Sequence, residues 1–129
     1  MSQDLGELDT KLGVEILEAS IGRVVGRMPV ATNRQPFGRL HGGASLALGE
    51  SLGSLAATLH AEPLGLAAVG VDINGTHHRG VRDGFVTGVA TPVHLGRRTT
   101  THEVVISDDA GSRICTVRIT NQLIPMTED

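Results

Sequence analysis

The stretch that decides the fold is QPFGRLHGGASLALGESLGSLAATL, residues 35–59. Leucines at positions 48, 52, 55 and 59 recur at spacings of four, three and four, which places them on one stripe of an α-helix. Gly49 and Gly53 fall beside that stripe. Because each interior glycine costs a helix about 1 kcal/mol relative to alanine, close packing against another backbone is the expected compensation. The pattern predicts a long central helix that ends near His60.

Glu50 is the sole ionisable side chain between Leu46 and Leu59. On a helix that is apolar or small nearly all round, we expect this carboxylate to be largely buried. Ser54 lies one turn further, at i+4, and shares its face, so its hydroxyl can donate to the carboxylate or to a water beside it. A lone acid in such a helix is either catalytic or paired with an arginine of a second subunit.

The segment His41-Gly42-Gly43 enters the helix at its amino end. Free backbone N–H groups and the positive end of the helix dipole are available there to a carbonyl oxygen or an oxyanion. A bland alternative is that His41 only caps the helix. By itself Gln35, six residues earlier, is an ordinary loop residue.

The composition fits one globular domain over residues 1–129, since 40% of the residues are hydrophobic and 19% are charged. A net charge of −3 argues against nucleic acid or an anionic membrane as the main partner, and two phenylalanines without Trp or Tyr make base stacking improbable. The single Cys115 excludes an intramolecular disulfide, and no signal peptide or membrane span is recognisable. We therefore expect a cytoplasmic protein.

The remaining chain has the period of two that is typical of strands. We expect a loose arm or a frayed helical turn over residues 1–11, then a hairpin of residues 12–20 and 21–30. Four later segments, expected to form an antiparallel meander, cover residues 66–76, 85–93, 97–107 and 112–123. The expected class is α+β, with an antiparallel sheet wrapped around one helix. Its free edges predict pairing with a second copy of the chain.

Four motifs resemble the hotdog-fold acyl-CoA thioesterases: QPFG with LHGGA, Glu50-Ser-Leu-Gly-Ser54, Asn74-Gly-Thr-His77-His-Arg79, and His94-Leu-Gly-Arg-Arg98. Within that family they are most similar to the PaaI-like branch of the Arthrobacter-type 4-hydroxybenzoyl-CoA and 1,4-dihydroxy-2-naphthoyl-CoA thioesterases. The similarity spans residues 12–124. It implies a hotdog fold and a dimer, often paired into a homotetramer, with active sites at the subunit interface.

The resemblance also implies roles for individual residues. Glu50 matches the catalytic carboxylate, which acts as nucleophile or as general base, while His41 and the Gly42 N–H match the groups at the thioester carbonyl. Gln35 matches a residue that holds substrate or water, and Ser54 one that orients water. Residues implied at the substrate or the coenzyme A moiety are Gly43, His77, Arg79, Arg82, His94, Arg97, Arg98 and Thr99. The implied partner is a small-molecule acyl-CoA, with coenzyme A as part of the substrate and no other cofactor.

Three functions stay open from the residues. The first is hydrolysis of an acyl-CoA thioester with an aryl or other bulky acyl group, which needs a carboxylate, oxyanion donors and exclusion of bulk water. The second is a hotdog dehydratase acting on hydroxyacyl thioesters, and the third is a module that binds acyl-CoA without turnover. No two of the six histidines have the i, i+4 spacing of a zinc motif, so no metal is expected.

Overall fold

The computed structural model describes residues 5–126. Its elements, in chain order, are α1 (Gly6–Leu12), β1 (Glu15–Ser20), β2 (Arg23–Pro29), α2 (Gly42–Ala61), a 3₁₀ turn (Glu62–Leu64), β3 (Leu66–His77), β4 (Phe85–Leu95), β5 (Thr99–Asp108) and β6 (Arg113–Pro125). The predicted α+β class and the long central helix are confirmed. Gly65, with φ +73°, ends the turn that follows α2, in the left-handed region that glycine favours.

The six strands form one antiparallel sheet in the order β1-β2-β4-β5-β6-β3. The expected four-stranded meander is therefore wrong in one respect: β4, β5 and β6 follow one another, but β3 pairs with β6 and lies at an edge. Alternation fixes the face of a side chain and says nothing about which strand is its neighbour. The connection over residues 78–84 is long enough to cross the two intervening strands, at about 3.3 Å per residue.

Helix α2 lies against one face of this sheet and supplies the centre of the core. Leu48 and Leu52 are fully buried, as the leucine stripe predicts. A Cβ added at Gly49 would lie 2.7 Å from Val117 Cγ1, and one added at Gly53 would collide with Ile119 Cγ2. The two glycines therefore permit the close approach of helix and β6 that the sequence predicts.

The alternation predicted for the last strand is confirmed. Cys115, Val117 and Ile119 are buried against α2, whereas Arg118 on the opposite face is exposed. Burial raises the pKa of the Cys115 thiol. Strand β6 therefore packs its apolar face against α2. It lies inside the sheet, with β5 on one side and β3 on the other.

Strand β3 departs from the prediction that Val69, Val71 and Ile73 share one face. Its pairing with β6 shifts between Gly70 and Asp72, which is the irregularity of a β-bulge. Val69 is 41% exposed and Val71 is 55% exposed, while Ile73 is partly buried. The outer edge of β3 therefore presents apolar side chains and has no strand partner within residues 5–126.

Of the two forms expected for residues 1–11, a loose arm or a frayed helical turn, the described part is helical and forms α1; residues 1–4 lie outside the described residues. Ser51 Oγ of α2 donates a 2.7 Å hydrogen bond to Asp9 Oδ1. Burial raises the pKa of Asp9, and the Ser51 hydrogen bond opposes that shift. Leu5 and Leu12 pack against the core on the same side. No described helix is long and apolar enough to cross a bilayer.

Replacing Gly53 by alanine tests the close packing of α2. The added methyl would collide with Ile119, so we expect a loss of about 1–3 kcal/mol in the free energy of unfolding, despite the better helix propensity of alanine. Urea denaturation measures the change. Gly22→Ala is the control, since a Cβ there would meet nothing within 4 Å. Equal stability of Gly53→Ala and the wild type would contradict the packing.

Candidate active site

A pocket of about 390 Å³ opens at the amino end of α2. Two loops, the end of β3 and the start of α2 form its wall. Its lining residues are Gln35, Arg39, Leu40, Gly42, Ser45, His77, His78, Arg79, Gly80, Val81 and Ile114. Of the residues predicted for the site, this pocket brings together Gln35, Gly42, His77 and Arg79.

His41 is the N-cap of α2, with extended backbone at φ −66° and ψ 131°. Its Nδ1 accepts a 2.8 Å hydrogen bond from the Gly43 N–H. Because Nδ1 accepts, a neutral ring carries its proton on Nε2, which is then a donor. The capping role and a donor role are therefore compatible, and Gly43 contributes by fixing the tautomer.

The Gly42 N–H has no acceptor among residues 5–126. It belongs to the first turn of the helix, where the backbone N–H groups have no partners within the helix and the dipole favours negative charge. The His77 ring lies over this residue, since a Cβ at Gly42 would sit 2.8 Å from His77 Nε2. A larger residue at position 42 would thus collide with the His77 ring.

Gln35 is held in a tight loop before the helix. Its N–H donates to the Arg39 carbonyl at 2.7 Å, its carbonyl accepts from the Gly38 N–H at 3.0 Å, and its Oε1 accepts from the Phe37 N–H. The side-chain oxygen is engaged within the loop, so the NH₂ group remains as the donor of a residue that lines the pocket.

Glu50 is not buried within this chain, contrary to the prediction. Its side chain faces a smaller pocket of about 150 Å³ whose other lining residues, Gly70, Val71, Asp72 and Ile73, all belong to β3. The missing Cβ of Gly70 makes room for the carboxylate, because an added Cβ would lie 3.0 Å from Glu50 Oε2. The helix pattern correctly showed an apolar surrounding, but β3 is an edge strand and no described element covers Glu50 from outside.

Within a single chain, Glu50 lies away from the pocket at the amino end of α2. Glu50 follows Gly42 by eight residue steps, which amount to about 12 Å of helix at 1.5 Å per residue. The acid and the free N–H therefore lie along one side of α2 without meeting at a common point.

Ser54 has a partner that the sequence reasoning missed. Asn121 of β6 is fully buried, and its Nδ2 donates to Ser54 Oγ at 3.2 Å. A signal was available: in the alternating row 115, 117, 119, 121, 123, position 121 alone is polar. A buried amide in an apolar row requires a hydrogen-bond partner, and this requirement points to a site.

The predicted coenzyme A residues fall into two groups. Arg79 lines the larger pocket. Arg39, which was not predicted, lines the same pocket, and its Cδ lies against Gly80. Arg82 is near that end, where its carbonyl accepts from Arg34 Nε at 2.9 Å. The other group lies at the carboxyl end of α2 and consists of His94, Arg97, Arg98 and Thr99.

Two hydrogen bonds place the second group. His60, in the last turn of α2, bonds the Gly96 carbonyl through Nε2 at 2.7 Å, and the Arg98 carbonyl accepts from the Leu123 N–H at 2.8 Å. Within one chain this turn is separated from Arg79 by the length of α2. Residues 5–126 contain no cluster of three or more His, Cys, Asp or Glu side chains that suits a metal ion.

Comparisons with known proteins identify the family to which this chain belongs. The model of the Thioesterase superfamily matches residues 37–115, so the chain belongs to that superfamily and has the hotdog fold. A proofreading thioesterase, EntH of Cronobacter sakazakii, is 46% identical over 125 residues, which are 96% of this chain and 85% of EntH. The chain is accordingly a thioester hydrolase.

Solved structures agree with this assignment. Thioesterase HI1161 of Haemophilus influenzae superposes with a TM-score of 0.88 at 41% identity, over 94% of this chain and 85% of HI1161. A thioesterase of Staphylococcus aureus, SAV0944, superposes with a TM-score of 0.87 at 34% identity, over 92% of this chain and 98% of SAV0944, in a variant with one glutamine replaced by alanine. A second variant of the same protein has one glutamate replaced by alanine, fifteen positions further along.

His102 of β5 is a fully buried histidine that lies beneath α2, near Asn121. Burial lowers its pKa, and a positive charge on His60 would lower it further. In the unfolded chain His102 takes up a proton as the pH falls through about 6.5, whereas in the folded chain it stays neutral to a lower pH. The free energy of unfolding should fall as the pH drops below about 6.5.

This pH dependence is testable with His102→Gln. We expect the urea midpoint of the wild type to fall more steeply between pH 7.5 and 5.5 than that of the variant, since glutamine does not titrate. The urea midpoint of each protein is compared with its own value at pH 7.5, so a loss of packing that does not depend on pH cancels. Parallel pH profiles would show that His102 does not contribute.

Proposed function

We propose that this chain hydrolyses an acyl-CoA thioester to the free acid and coenzyme A, with an aryl acyl group such as hydroxybenzoyl or dihydroxynaphthoyl. One observation carries the proposal: the Gly42 N–H, which has no acceptor among residues 5–126, and the Nε2 side of His41 lie at the amino end of a helix whose exposed side also bears Glu50. Hydrolysis of a thioester needs these two functions, an oxyanion site and a carboxylate.

In the proposed reaction the thioester oxygen lies at the amino end of α2. The Gly42 N–H and His41 Nε2–H donate to it as negative charge develops, aided by the helix dipole. Glu50 either attacks the carbonyl carbon, giving a mixed anhydride that water resolves, or removes a proton from the attacking water. Gln35 and Ser54 hold the substrate or the water.

The complete site is proposed to form between two copies of the chain. The apolar outer edge of β3 has no strand partner in the described part of the chain, so its backbone groups can pair with a second β3 in antiparallel fashion. A two-fold axis near Asn74 would place Val71 of one strand opposite His77 of the other. Glu50 lies beside Val71 and His77 lies over Gly42, so each acid would face the oxyanion site of the second copy.

The same pairing would join the two groups of cations. The carboxyl end of one α2, with Arg97 and Arg98, would approach the amino end of the other, with Arg79. Arginine is suited to phosphate groups because its planar fork binds them in bidentate fashion. We propose that these side chains hold the phosphates of coenzyme A, and that two such dimers pair into a tetramer.

Two further features support the proposal. Gln35 and Glu50 are fifteen positions apart, as are the glutamine and the glutamate replaced in the two SAV0944 variants. The larger pocket, at about 390 Å³, falls within the range of small-molecule sites and combines the apolar Leu40, Val81 and Ile114 with two histidines. That lining suits a ring with a polar substituent, as the resemblance to the PaaI-like branch implies.

Replacement of Glu50 by glutamine tests the acid directly. We expect at least about a hundredfold loss of kcat for thiol release from a panel of aryl and aliphatic acyl-CoAs, since the amide neither attacks nor accepts a proton. Glu18→Gln is the control, because this exposed carboxylate lies on β1, at the opposite edge of the sheet from β3, and its variant should stay within about threefold of wild type.

The panel also separates the alternatives. Aryl substrates should rank first. Wild-type rates in Glu50→Gln would reject the catalytic acid, formation of a double bond would identify a dehydratase, and binding without turnover would identify a binding module.

Mixing two inactive variants tests the shared site. Glu50→Gln and His41→Ala should each be impaired, but a mixed dimer would contain one intact site. After subunit exchange, equal amounts should recover about a quarter of wild-type activity, since half the dimers are mixed and each has one active site of two. No recovery, with exchange shown by mass spectrometry of a labelled subunit, would contradict a site built from two copies.

A further inference from the structure

A buried amide, Asn121 of β6, bonds Ser54 and lies close to the proposed catalytic acid, Glu50. Asn121 Nδ2 donates to Ser54 Oγ at 3.2 Å, and the same Nδ2 is 3.9 Å from the Cβ position of Gly70. That Cβ position is 3.0 Å from Glu50 Oε2. The amide, the hydroxyl and the carboxylate therefore converge around one glycine of β3.

We propose that Asn121 is a positioning residue that directs the Ser54 hydroxyl proton toward the Glu50 carboxylate or the water beside it. This inference rests on the proposed function, because it gives the acid its supporting hydrogen bonds. Asn121 does not touch the reacting atoms and acts through Ser54.

The argument follows from the roles of donor and acceptor. An amide NH₂ group only donates, so the bond from Asn121 occupies a lone pair of Ser54 Oγ and leaves the O–H to donate elsewhere. A serine within a helix commonly donates to the carbonyl four residues earlier. Ser54 has no such bond, and Asn121 is its one side-chain partner among residues 5–126. Glu50, at i−4, lies on the same helix face, so its carboxylate is the acceptor toward which we propose the hydroxyl is directed.

The orientation of the amide has its own support. Thr100 lies directly opposite Asn121 in the pairing of β5 with β6, so the two side chains share the face beneath α2. Thr100 Oγ1 and Asn121 Oδ1 are both buried and have no hydrogen-bond partner among the described residues. A hydroxyl donor and a carbonyl acceptor are complementary, and a water that bridged the two atoms would keep the NH₂ side of Asn121 toward Ser54.

The position would be apolar if packing were its sole purpose. Its neighbours in the same row, Ile119 and Leu123, are buried apolar side chains that match the surface of α2. An amide there carries a desolvation cost that leucine would avoid. A role in orienting Ser54 explains why a polar group occupies this place.

The test compares kcat and KM for thiol release in Asn121→Leu, Ser54→Ala and the double variant, with Glu50→Gln run in parallel. We expect Asn121→Leu to lower kcat about tenfold and to leave KM within about twofold, since the bond acts on the acid and not on substrate binding. In the Ser54→Ala background the same change should cost less than about twofold, because residues that act as a unit are not additive.

Two variants keep the test independent of folding. Thr101→Val is the matched control: it removes the 3.0 Å hydroxyl contact between Thr101 and Thr120, on the same strand pair but the opposite face, and should keep wild-type kcat. Asn121→Asp has nearly the shape of asparagine, so it serves if leucine prevents folding. An ionised aspartate would accept the hydrogen bond that the Ser54 hydroxyl donates and so turn the hydroxyl away from Glu50; kcat should therefore be low at neutral pH and recover at acid pH, where a protonated aspartate donates again.

Several results would overturn the inference. Equal losses in both backgrounds, a loss confined to KM, an equal loss in Thr101→Val, or a pH profile of Asn121→Asp parallel to wild type would each show a merely structural role. Full activity of Asn121→Leu beside an inactive Glu50→Gln would reject the positioning role and leave the proposed function intact. Full activity of Glu50→Gln would reject Glu50 as the catalytic acid and this inference with it, whereas no thiol release by the wild type from any acyl-CoA would reject the proposed function itself.

Discussion

The close contact between α2 and the sheet is the constraint on which the rest of the structure depends. Gly49 and Gly53 let the helix backbone approach Val117 and Ile119 of β6 without side chains between them. From the sheet side, Gly26 and Gly88 receive Leu52 in the same way. This contact fixes the height of α2 above the sheet, and so fixes where the free N–H of Gly42 and the carboxylate of Glu50 lie.

Much of the fold could be predicted because it depends on local patterns. The leucine spacing gave α2, the glycines gave its close packing, and the alternation around Val117 gave the buried face of β6. The neighbour of β3 could not be predicted, since pairing is set by long-range contacts that alternation does not encode. The bulge at Val71 was missed for a similar reason, and the packing of α1 against α2 could not be predicted, because each depends on tertiary partners.

The candidate site was predictable in its residue types and less so in its arrangement. The sequence placed Gln35, His41 and Gly42 at the start of the helix, and the structure has Gln35 and Gly42 at one pocket with His41 as the cap. It failed for the exposure of Glu50, because burial depends on which strand lies at the sheet edge. Asn121 and Arg39 went unnoticed because no local motif marks them, although Asn121 breaks an apolar row.

The spacing of the site residues along α2 has a geometric consequence. Gly42, Leu46, Glu50 and Ser54 follow one another at intervals of four, and each step of four residues turns the helix surface by about 40°. The row therefore winds from His77 and Gly75 on β3, past Gly70, to Asn121 on β6. A single helix thus carries its functional groups from the rim of the sheet into its interior. An insertion or deletion of one residue between Gly42 and Ser54 would swing every later group by about 100° and separate the rim from the interior.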